Sequence, residues 1–409
     1  MFPLPIGDRI KVRGLKKTCN SDCDKLLYFH NLQPFGGIYT YLKDEIKRYR
    51  EKIDKIDSSM LELLNRRARF VIEIGKIKKG AKAEFHSPER ERKIYERLEG
   101  ENRGPFPQEG VRAVFREIMS ASLSLEQRLR VAYLGPKATF THLACMQQFG
   151  DSAQYLPASS IKEVFNEVEK GEAEYGVVPI ENSTEGIVSS TLDIFVDSDV
   201  KIIGEILLEV SHNLMSKSGR MEDIRKIYSH PQPAAQCRIW LENNLPEIPI
   251  AEASSSAKAA EMSAEEPQAG AIASELAAKI YGLKIAKRRI EDNIHNFTRF
   301  LIIGKKSLPR TGKDKTSIMF SVKDEVGALF NMLKPFSESR INLTKIESRP
   351  SRKRAWEYIF YVDMDGHIEE DRVKRALNNL EKRSLFLKIL GSYPAAGNLS
   401  ADKARRGKG

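Results

Sequence analysis

Two groups of side chains in this sequence are of the kind that performs chemistry. The first lies in GVVPIENSTEGIV, residues 176 to 188. An apolar run ends there in Glu181, Asn182, Ser183 and Thr184, and apolar chain resumes after Glu185 and Gly186. Asn, Ser and Thr suit turns and helix starts, so a capped loop is one reading. The other is a pocket for a small polar ligand, because open α/β sheets bind ligands beyond the carboxyl ends of their strands. The second group is Arg67 and Lys78. The series Leu42, Ile46, Tyr49, Ile53, Ile56, Met60, Leu63, Phe70, Ile74, Ile77 steps by three or four and requires an apolar residue at 67, where the chain has Arg. Lys78 follows eleven residues later, about three turns and ~16 Å along a helix and on nearly the same face. A buried guanidinium needs a partner. Salt bridges, for example with Glu91, would supply one. So would an anion lying along the helix, with Arg90 and Glu91 on a second helix and Ser122 and Glu126, one turn apart, on a third. Arg50 is about a quarter-turn off the Arg67 face, better placed to reach a partner chain.

The elements that would position these groups follow from periodicity. The apolar series predicts one helix of more than thirty residues from Leu42, with a coiled-coil-like seam. A second helix starts at Ser87-Pro88, an N-cap followed by proline, with Glu89 and Glu91 in its first turn. A third runs from about Gln108 to Arg130 with Val111, Val114, Ile118, Leu125 and Leu129 inward. Three such helices do not easily bury the long seam alone, and a dimer is implied. From RVAYLG (Arg130 to Gly135) the period changes, and short apolar strands alternate with helices to about residue 305. This is α/β, with strand spacings that suit two lobes and a cleft. LPRTGKDKT (Leu308 to Thr316) reads as a linker. The remainder reads β-α-β-β-α-β, the ferredoxin-like order. Residues 1 to 38 lack periodicity and hold the breaker cluster QPFGG. They read as a disordered extension, and residues 396 to 409 as a disordered basic tail.

Bulk properties narrow the class. A chain of 409 residues holds two to four domains, and 41% hydrophobic residues support real cores. No apolar run approaches the ~18 residues of a membrane span, and MFPLPIGDRIKVRG lacks the form of a signal peptide. Cys19, Cys23, Cys145 and Cys237 are scattered, and the Cys19/Cys23 pair lacks the matching His or Cys pair nearby that a zinc site needs. The expectation is a soluble cytoplasmic protein without metal or cofactor and without a membrane partner. The net charge is +11, but the basic residues are mostly interleaved with acids, as on solvated helix faces. A nucleic-acid partner is not expected, and a basic protein suits small dianionic substrates by steering.

Three motif sets carry a family resemblance. REKIDKIDSSMLELLNRRARFVIEIGKIK, SPERERKIYERL and FREIMSASLSLEQ resemble the all-helical chorismate mutase domain. YLGPKATFTHLA, PIENSTEGIVSSTLD, SHPQPAAQC and HNFTRFLII resemble prephenate dehydratase. DEVGALFNML and ESRPS resemble an ACT regulatory domain. Their order resembles the bifunctional chorismate mutase/prephenate dehydratases of phenylalanine biosynthesis. The resemblance implies a helical mutase domain over 39–128, a two-lobed, periplasmic-binding-protein-like α/β dehydratase domain over 130–306, and an α+β ferredoxin-like ACT domain over 315–395. It implies chorismate and prephenate as substrates, phenylalanine as inhibitor, and a homo-oligomer, at least a dimer. Arg50 would reach the other protomer's site. Arg67, Lys78, Ser87, Arg90, Glu91, Ser122 and Glu126 would line the local mutase site, with Lys78 donating to the ether oxygen. Asn182, Ser183, Gln236, Thr298 and Arg299 would line the dehydratase cleft, with Thr298 as the essential hydroxyl. His230 and His295 are loop histidines, more often structural. Gly327, Ala328 and Leu329, with Glu347, Ser348, Arg349 and Pro350, would bind phenylalanine.

Two positions depart from the family pattern. A Gln is common where this chain has Glu126, and Glu donates only when protonated. Mutase activity is therefore expected to fall as pH rises and Glu126 loses its proton. Ser87 stands where an Asp often contacts substrate, and its N-cap role already accounts for it. The reading from another class is an amino-acid-sensing binding protein without turnover, against which the charged helix face and the intact Thr298-Arg299 pair argue.

Overall fold

A computed structural model describes residues 35–81, 86–322, 325–350 and 358–396. Cys19, Cys23, residues 1–34 of the expected extension and residues 397–409 of the expected tail lie outside the described residues. The described chain divides into two compact units, one up to Arg66 and one from Arg67 onward. The first consists of the leading part of helix α1 (Phe35–Ala81). Gly36 and Gly37 of the QPFGG cluster fall in its first turn, where N–H groups have no intrahelical partner in any case. The seam residues Leu42, Ile46, Tyr49, Ile53, Ile56, Met60 and Leu63 are all exposed in this unit.

In the second unit, the rest of α1 meets α2 (Pro88–Glu101) and α3 (Gln108–Glu126). Ser87 caps α2 by accepting from the Arg90 N–H. The stripe that turns toward α3 is Arg67, Val71, Gly75 and Lys78, not the apolar seam: Phe70, Ile74 and Ile77 are exposed. Gly75 makes this possible. A Cβ there would stand 3.0 Å from Glu126 Cγ. On α3, Val111 is buried as expected, but Val114 and Leu125 are exposed. The helix also stops at Glu126 rather than Arg130, where strand β1 begins.

Two sheets follow. The first has the order β2 (Gln154–Ala158), β1 (Arg130–Leu134), β3 (Tyr175–Asn182), β11 (Phe297–Gly304), β5 (Lys201–Glu209), with β4 (Gly186–Ile187) paired to β3. The second runs β10 (Lys284–Lys287), β6 (Asn213–Ser216), β9 (Ala269–Ala273), β7 (Lys226–Ser229), β8 (Ile250–Glu252). They make two lobes joined by two crossings, residues 210–212 and 288–296. The first lobe carries helices α4 (Phe140–Phe149), α5 (Ile161–Lys170) and α6 (Ser189–Phe195), and the second α7 (Pro231–Gln236), α8 (Arg238–Asn244), α9 (Ser256–Glu265) and α10 (Glu275–Tyr281). Helix α5 shows how local sequence sets the first lobe. Ser160 caps it, Glu163 reaches back to the Ser159 N–H, and Ile161, Val164, Phe165 and Val168 are buried at i, i+3, i+4 and i+7.

The C-terminal part is β12 (Asp314–Ser321), α11 (Ala328–Glu338), β13 (Leu343–Pro350), β14 (Tyr358–Asp365), α12 (Asp371–Glu381) and β15 (Phe386–Pro394). Its antiparallel sheet has the order β13-β14-β12-β15, the expected ferredoxin-like arrangement. The linker ends earlier than expected, because Asp314 already pairs in β12 and accepts from the Thr311 and Gly312 N–H groups. One hydrophobic core holds Val178, Ile180, Leu192, Ile202 and Leu301 of the first lobe together with Met319, Ile359, Tyr361, Leu390 and Tyr393 of this sheet.

The C-terminal sheet and the first sheet approach closely at Gly391 of β15, where a Cβ would collide with the Ile202 carbonyl oxygen of β5. That oxygen belongs to a strand backbone and cannot rotate away. Gly391→Ala is expected to destabilise the protein by at least the ~1–3 kcal/mol typical of an overpacked core, whereas Gly80→Ala, with nothing within 4 Å, should be neutral or mildly stabilising. Urea unfolding of the two variants checks this, and equal midpoints would refute the close approach.

Candidate active sites

The antiparallel register of β11 on β3 sets Thr298 directly opposite Asn182 and Arg299 opposite Glu181. Successive strand residues face opposite ways, so the two pairs belong to different surfaces. On the first surface, Asn182 Oδ1 accepts from the Thr184 N–H at 2.9 Å and the Glu185 N–H at 3.0 Å. These two backbone donors decide which end of the amide is which. Asn182 Nδ2 is then the donor to Thr298 Oγ1 and to Asn296 Oδ1, both at 2.8 Å. Asn296 Nδ2 donates to Gln236 Oε1 at 3.1 Å, and His212 Nε2 meets the same oxygen at 2.8 Å. Gln236 Nε2 donates to Glu185 Oε1 at 3.1 Å. The directions propagate from the backbone outward. Thr298 accepts from Asn182 and keeps its own proton for another acceptor, and the His212 tautomer carries its proton on Nε2.

This network crosses from one lobe to the other. Asn182 and Thr298 belong to the first sheet, Gln236 ends α7 (Pro231–Gln236) of the second lobe, and Asn296 and His212 lie in the crossings. Ser183 is close by, but its hydroxyl is used on backbone. It accepts from the Phe297 N–H and donates to the His295 carbonyl. His230 caps α7 through the Gln232 N–H.

Arg299 does not join the cleft residues. Its guanidinium points to the opposite face, where it meets Glu205 at 2.7 Å, Asp363 at 2.6 Å and the Tyr393 hydroxyl at 3.1 Å. Its side chain is 11% exposed. Burial works against the charge, but Asp363, Tyr393 and Glu205 outweigh it and raise the Arg299 pKa above its ordinary value. Lys315 also pairs with Glu205, at 2.9 Å. Glu181, on the same face, pairs with Lys345 of β13 at 2.8 Å. These are contacts between the first lobe and the C-terminal sheet. Arg349 makes another, donating to Ser189 and lying 3.7 Å from Asp193 of α6 (Ser189–Phe195). The stretch Glu347 to Pro350 therefore does not present one surface. Glu347 and Arg349 are half-buried, and Ser348 and Pro350 are exposed on the other side. Gly327 has φ +79° at the start of α11, with Ala328 and Leu329 in the first turn.

In the helical part, Arg67 donates to the Ser122 hydroxyl, and Lys78 Nζ lies 3.3 Å from Glu126 Oε2, a carboxylate only 7% exposed. Burial, and next the Arg90 cation, lower the Arg67 pKa. Two guanidiniums this close make a site that favours an anion. Glu91 meets His86 at 3.1 Å, and His86 meets the Tyr175 hydroxyl at 2.8 Å. Arg50 is exposed on the first unit. Among the described residues no cluster of His, Cys, Asp and Glu could hold a metal ion, and no helix is long and apolar enough to cross a membrane.

Comparison with known proteins decides the family. The chorismate mutase type II family matches residues 49–127, prephenate dehydratase residues 131–308, and the ACT domain residues 316–382. A bifunctional chorismate mutase/prephenate dehydratase from Aquifex aeolicus is 54% identical over 357 residues, covering 86% of this chain and 99% of that protein. The chain belongs to the bifunctional chorismate mutase/prephenate dehydratase family. A bifunctional relative from Pseudomonas aeruginosa is 43% identical over 360 residues, 87% of this chain and 99% of its own length. The solved prephenate dehydratase from Arthrobacter aurescens, in complex with L-Phe, superposes with a TM-score of 0.61 at 34% identity, covering 68% of this chain and 98% of that one. The helical part of this bifunctional enzyme is thus its chorismate mutase segment, the two lobes its dehydratase segment and the last sheet its ACT segment.

Two members of the dehydratase network were not singled out from the sequence. Asn296 stands two residues before Thr298 in HNFTRF, so strand alternation alone would put it on the same face. His212 is an isolated histidine between two strands and carries no such signal. It and His142, whose Nδ1 accepts from the Ala138 N–H, both have pKa values lowered, chiefly by burial. The folded state therefore binds fewer protons than the unfolded chain below the ordinary histidine pKa of about 6.5. Stability should be full above that pH and decline as pH falls below it. Comparing urea midpoints at about pH 7.5 and 5.5, His212→Gln should show a smaller decline than wild type; an identical decline would remove His212 from the account.

Proposed function

We propose that the two activities of this family are divided between two sets of residues in the chain. The mutase residues are Arg67 and Arg90 as clamps for the two carboxylates of chorismate, Lys78 as donor to the breaking ether oxygen, and Ser122, Glu91 and Glu126 as the remaining lining. The rearrangement is unimolecular. It needs no nucleophile, only a held conformer and stabilisation of charge on the ether oxygen. The half-buried Arg67, its pKa lowered first by burial and then by the Arg90 cation, supports this reading, because a bound dianion offsets both. Arg50 completes the site of a second copy. The exposed apolar seam of α1 supports a homodimer formed along that helix, and light scattering that returned a monomer mass would exclude it. Ser87 remains an N-cap.

The dehydratase residues are Asn182, Gln236 and Thr298. The observation that carries the assignment is the Asn182 amide, whose orientation leaves the Thr298 proton available to the cleft. Loss of carbon dioxide and water from prephenate gains an aromatic ring, so most of the driving force lies in the substrate. Thr298 hydrogen-bonds the departing hydroxyl, as suits so weak an acid. Phenylalanine binds the ACT segment around Gly327 to Leu329 and the Glu347 to Pro350 strand, and inhibits by favouring one arrangement of that segment over another. Support comes from the contacts that tie β13 and β14 to the backs of β3 and β11. The enzyme acts in the cytoplasm.

Purified protein given chorismate should yield prephenate and then phenylpyruvate, less of it when phenylalanine is added. Thr298→Val should lower dehydratase kcat by about 10²–10³, the usual loss for one transition-state donor, and leave the mutase unchanged. Phenylpyruvate at the wild-type rate from Thr298→Val would overturn the assignment. Mutase activity should fall as pH rises, and Glu126→Gln should flatten that profile; a flat wild-type profile would show that Glu126 does not donate.

A further inference from the structure

The dehydratase network has a member to which the proposed mechanism gives no role. Asn296 is 2% exposed. Its Oδ1 accepts from Asn182 Nδ2 at 2.8 Å and its Nδ2 donates to Gln236 Oε1 at 3.1 Å. Its carbonyl accepts from the Val210 N–H at 2.8 Å, which fixes its backbone where the two crossings lie side by side. One amide thus joins Asn182, on the first sheet, to Gln236, on the second lobe, and both of its polar atoms are used.

We propose that Asn296 is a positioning residue for the dehydration step, setting the spacing of the two lobes around the substrate and the orientation of the Gln236 amide. With Asn296 Nδ2 and His212 Nε2 both donating, Gln236 Oε1 is held toward the two crossings, and its Nε2 must face Glu185. Flipping Gln236 would oppose NH₂ to two donors. Flipping Asn296 would oppose its NH₂ to that of Asn182 and its oxygen to that of Gln236. Only one arrangement satisfies all three amides, and in it Asn182 is a donor to Thr298. The inference rests on the reading of Thr298 as donor to the leaving hydroxyl.

The full-length enzyme tests it, with mutase activity of the same preparation as the control for folding. Asn296→Ala should lower dehydratase kcat by about 10–100-fold, since a misplacement of about 1 Å costs that order of rate, with a much smaller change in KM. In a Gln236→Ala background the same substitution should cost under about threefold, because neighbours acting as a unit are not additive. Asn296→Asp keeps the acceptor for Asn182 but sets an acceptor against Gln236 Oε1. Its activity relative to wild type should be low at neutral pH and recover as pH falls and the new carboxyl gains a proton to donate. Wild-type kcat in Asn296→Ala, full additivity with Gln236→Ala, or an Asn296→Asp deficit independent of pH would each overturn the proposal. If Asn296→Ala also loses mutase activity, the isosteric Asn296→Asp profile decides. Thr298→Val, run alongside, separates the two readings: an active Thr298→Val removes the mechanism itself, whereas an inactive one beside an unaffected Asn296→Ala removes only the role given to Asn296.

Discussion

The position of β11 between β3 and β5 is the constraint on which the rest of the dehydratase depends. Pairing on both sides fixes its register, and a slip of one residue would turn every side chain to the other face. With the register as it is, Asn296 and Thr298 face the cleft with Asn182, while Arg299 and Glu181 face the ACT sheet. The irregularity between Arg299 and Phe300 falls just after these residues, so regular pairing holds across the part that matters. Two adjacent residues of one strand therefore serve two unrelated surfaces. The polar cluster needs an apolar strand core behind it for rigidity, and Phe300, Leu301, Ile302 and Ile303 provide that, all buried.

The helical segment is organised by a different rule. Its site face and its apolar face lie on different sides of α1. Arg67, Val71, Gly75 and Lys78 turn to α3, and the absence of a Cβ at Gly75 lets the Glu126 stem approach. This places the ammonium of Lys78 beside a nearly buried carboxylate and leaves Arg67 close to Arg90. Two neighbouring guanidiniums favour an anion there.

Much of this was legible in sequence, and the failures have physical causes. The β-α-β-β-α-β order, the Ser87 cap and the helical stripe of Arg67 and Lys78 are local and periodic, so a single chain displays them. What covers the apolar seam was not legible. Periodicity tells which residues share a face but not what covers it, and Phe70, Ile74 and Ile77 are exposed in this chain. Arg299 was placed in the cleft by the family resemblance, and strand alternation turns it away from its neighbour Thr298. Its actual partners, Glu205 and Asp363, are far away in sequence and belong to two domains, and no local pattern points to them. The same is true of the salt bridge from Lys345 to Glu181.

That set of contacts bears on how a regulatory domain can influence a cleft it does not line. The ACT sheet is not tethered by a flexible linker alone. It shares a hydrophobic core with the first lobe, Gly391 brings its backbone against β5, and Lys388 donates to the carbonyls of Phe195, Val196 and Ser198 at the end of α6. Packed interiors resist continuous deformation and shift between discrete arrangements. A ligand that moved β13 would pull on Glu181 through Lys345 and on α6 through Arg349, and these flank the loop that holds Asn182. Because the Asn182 amide fixes the direction of the Thr298 hydrogen bond, a displacement too small to open the cleft would be enough to disorganise it.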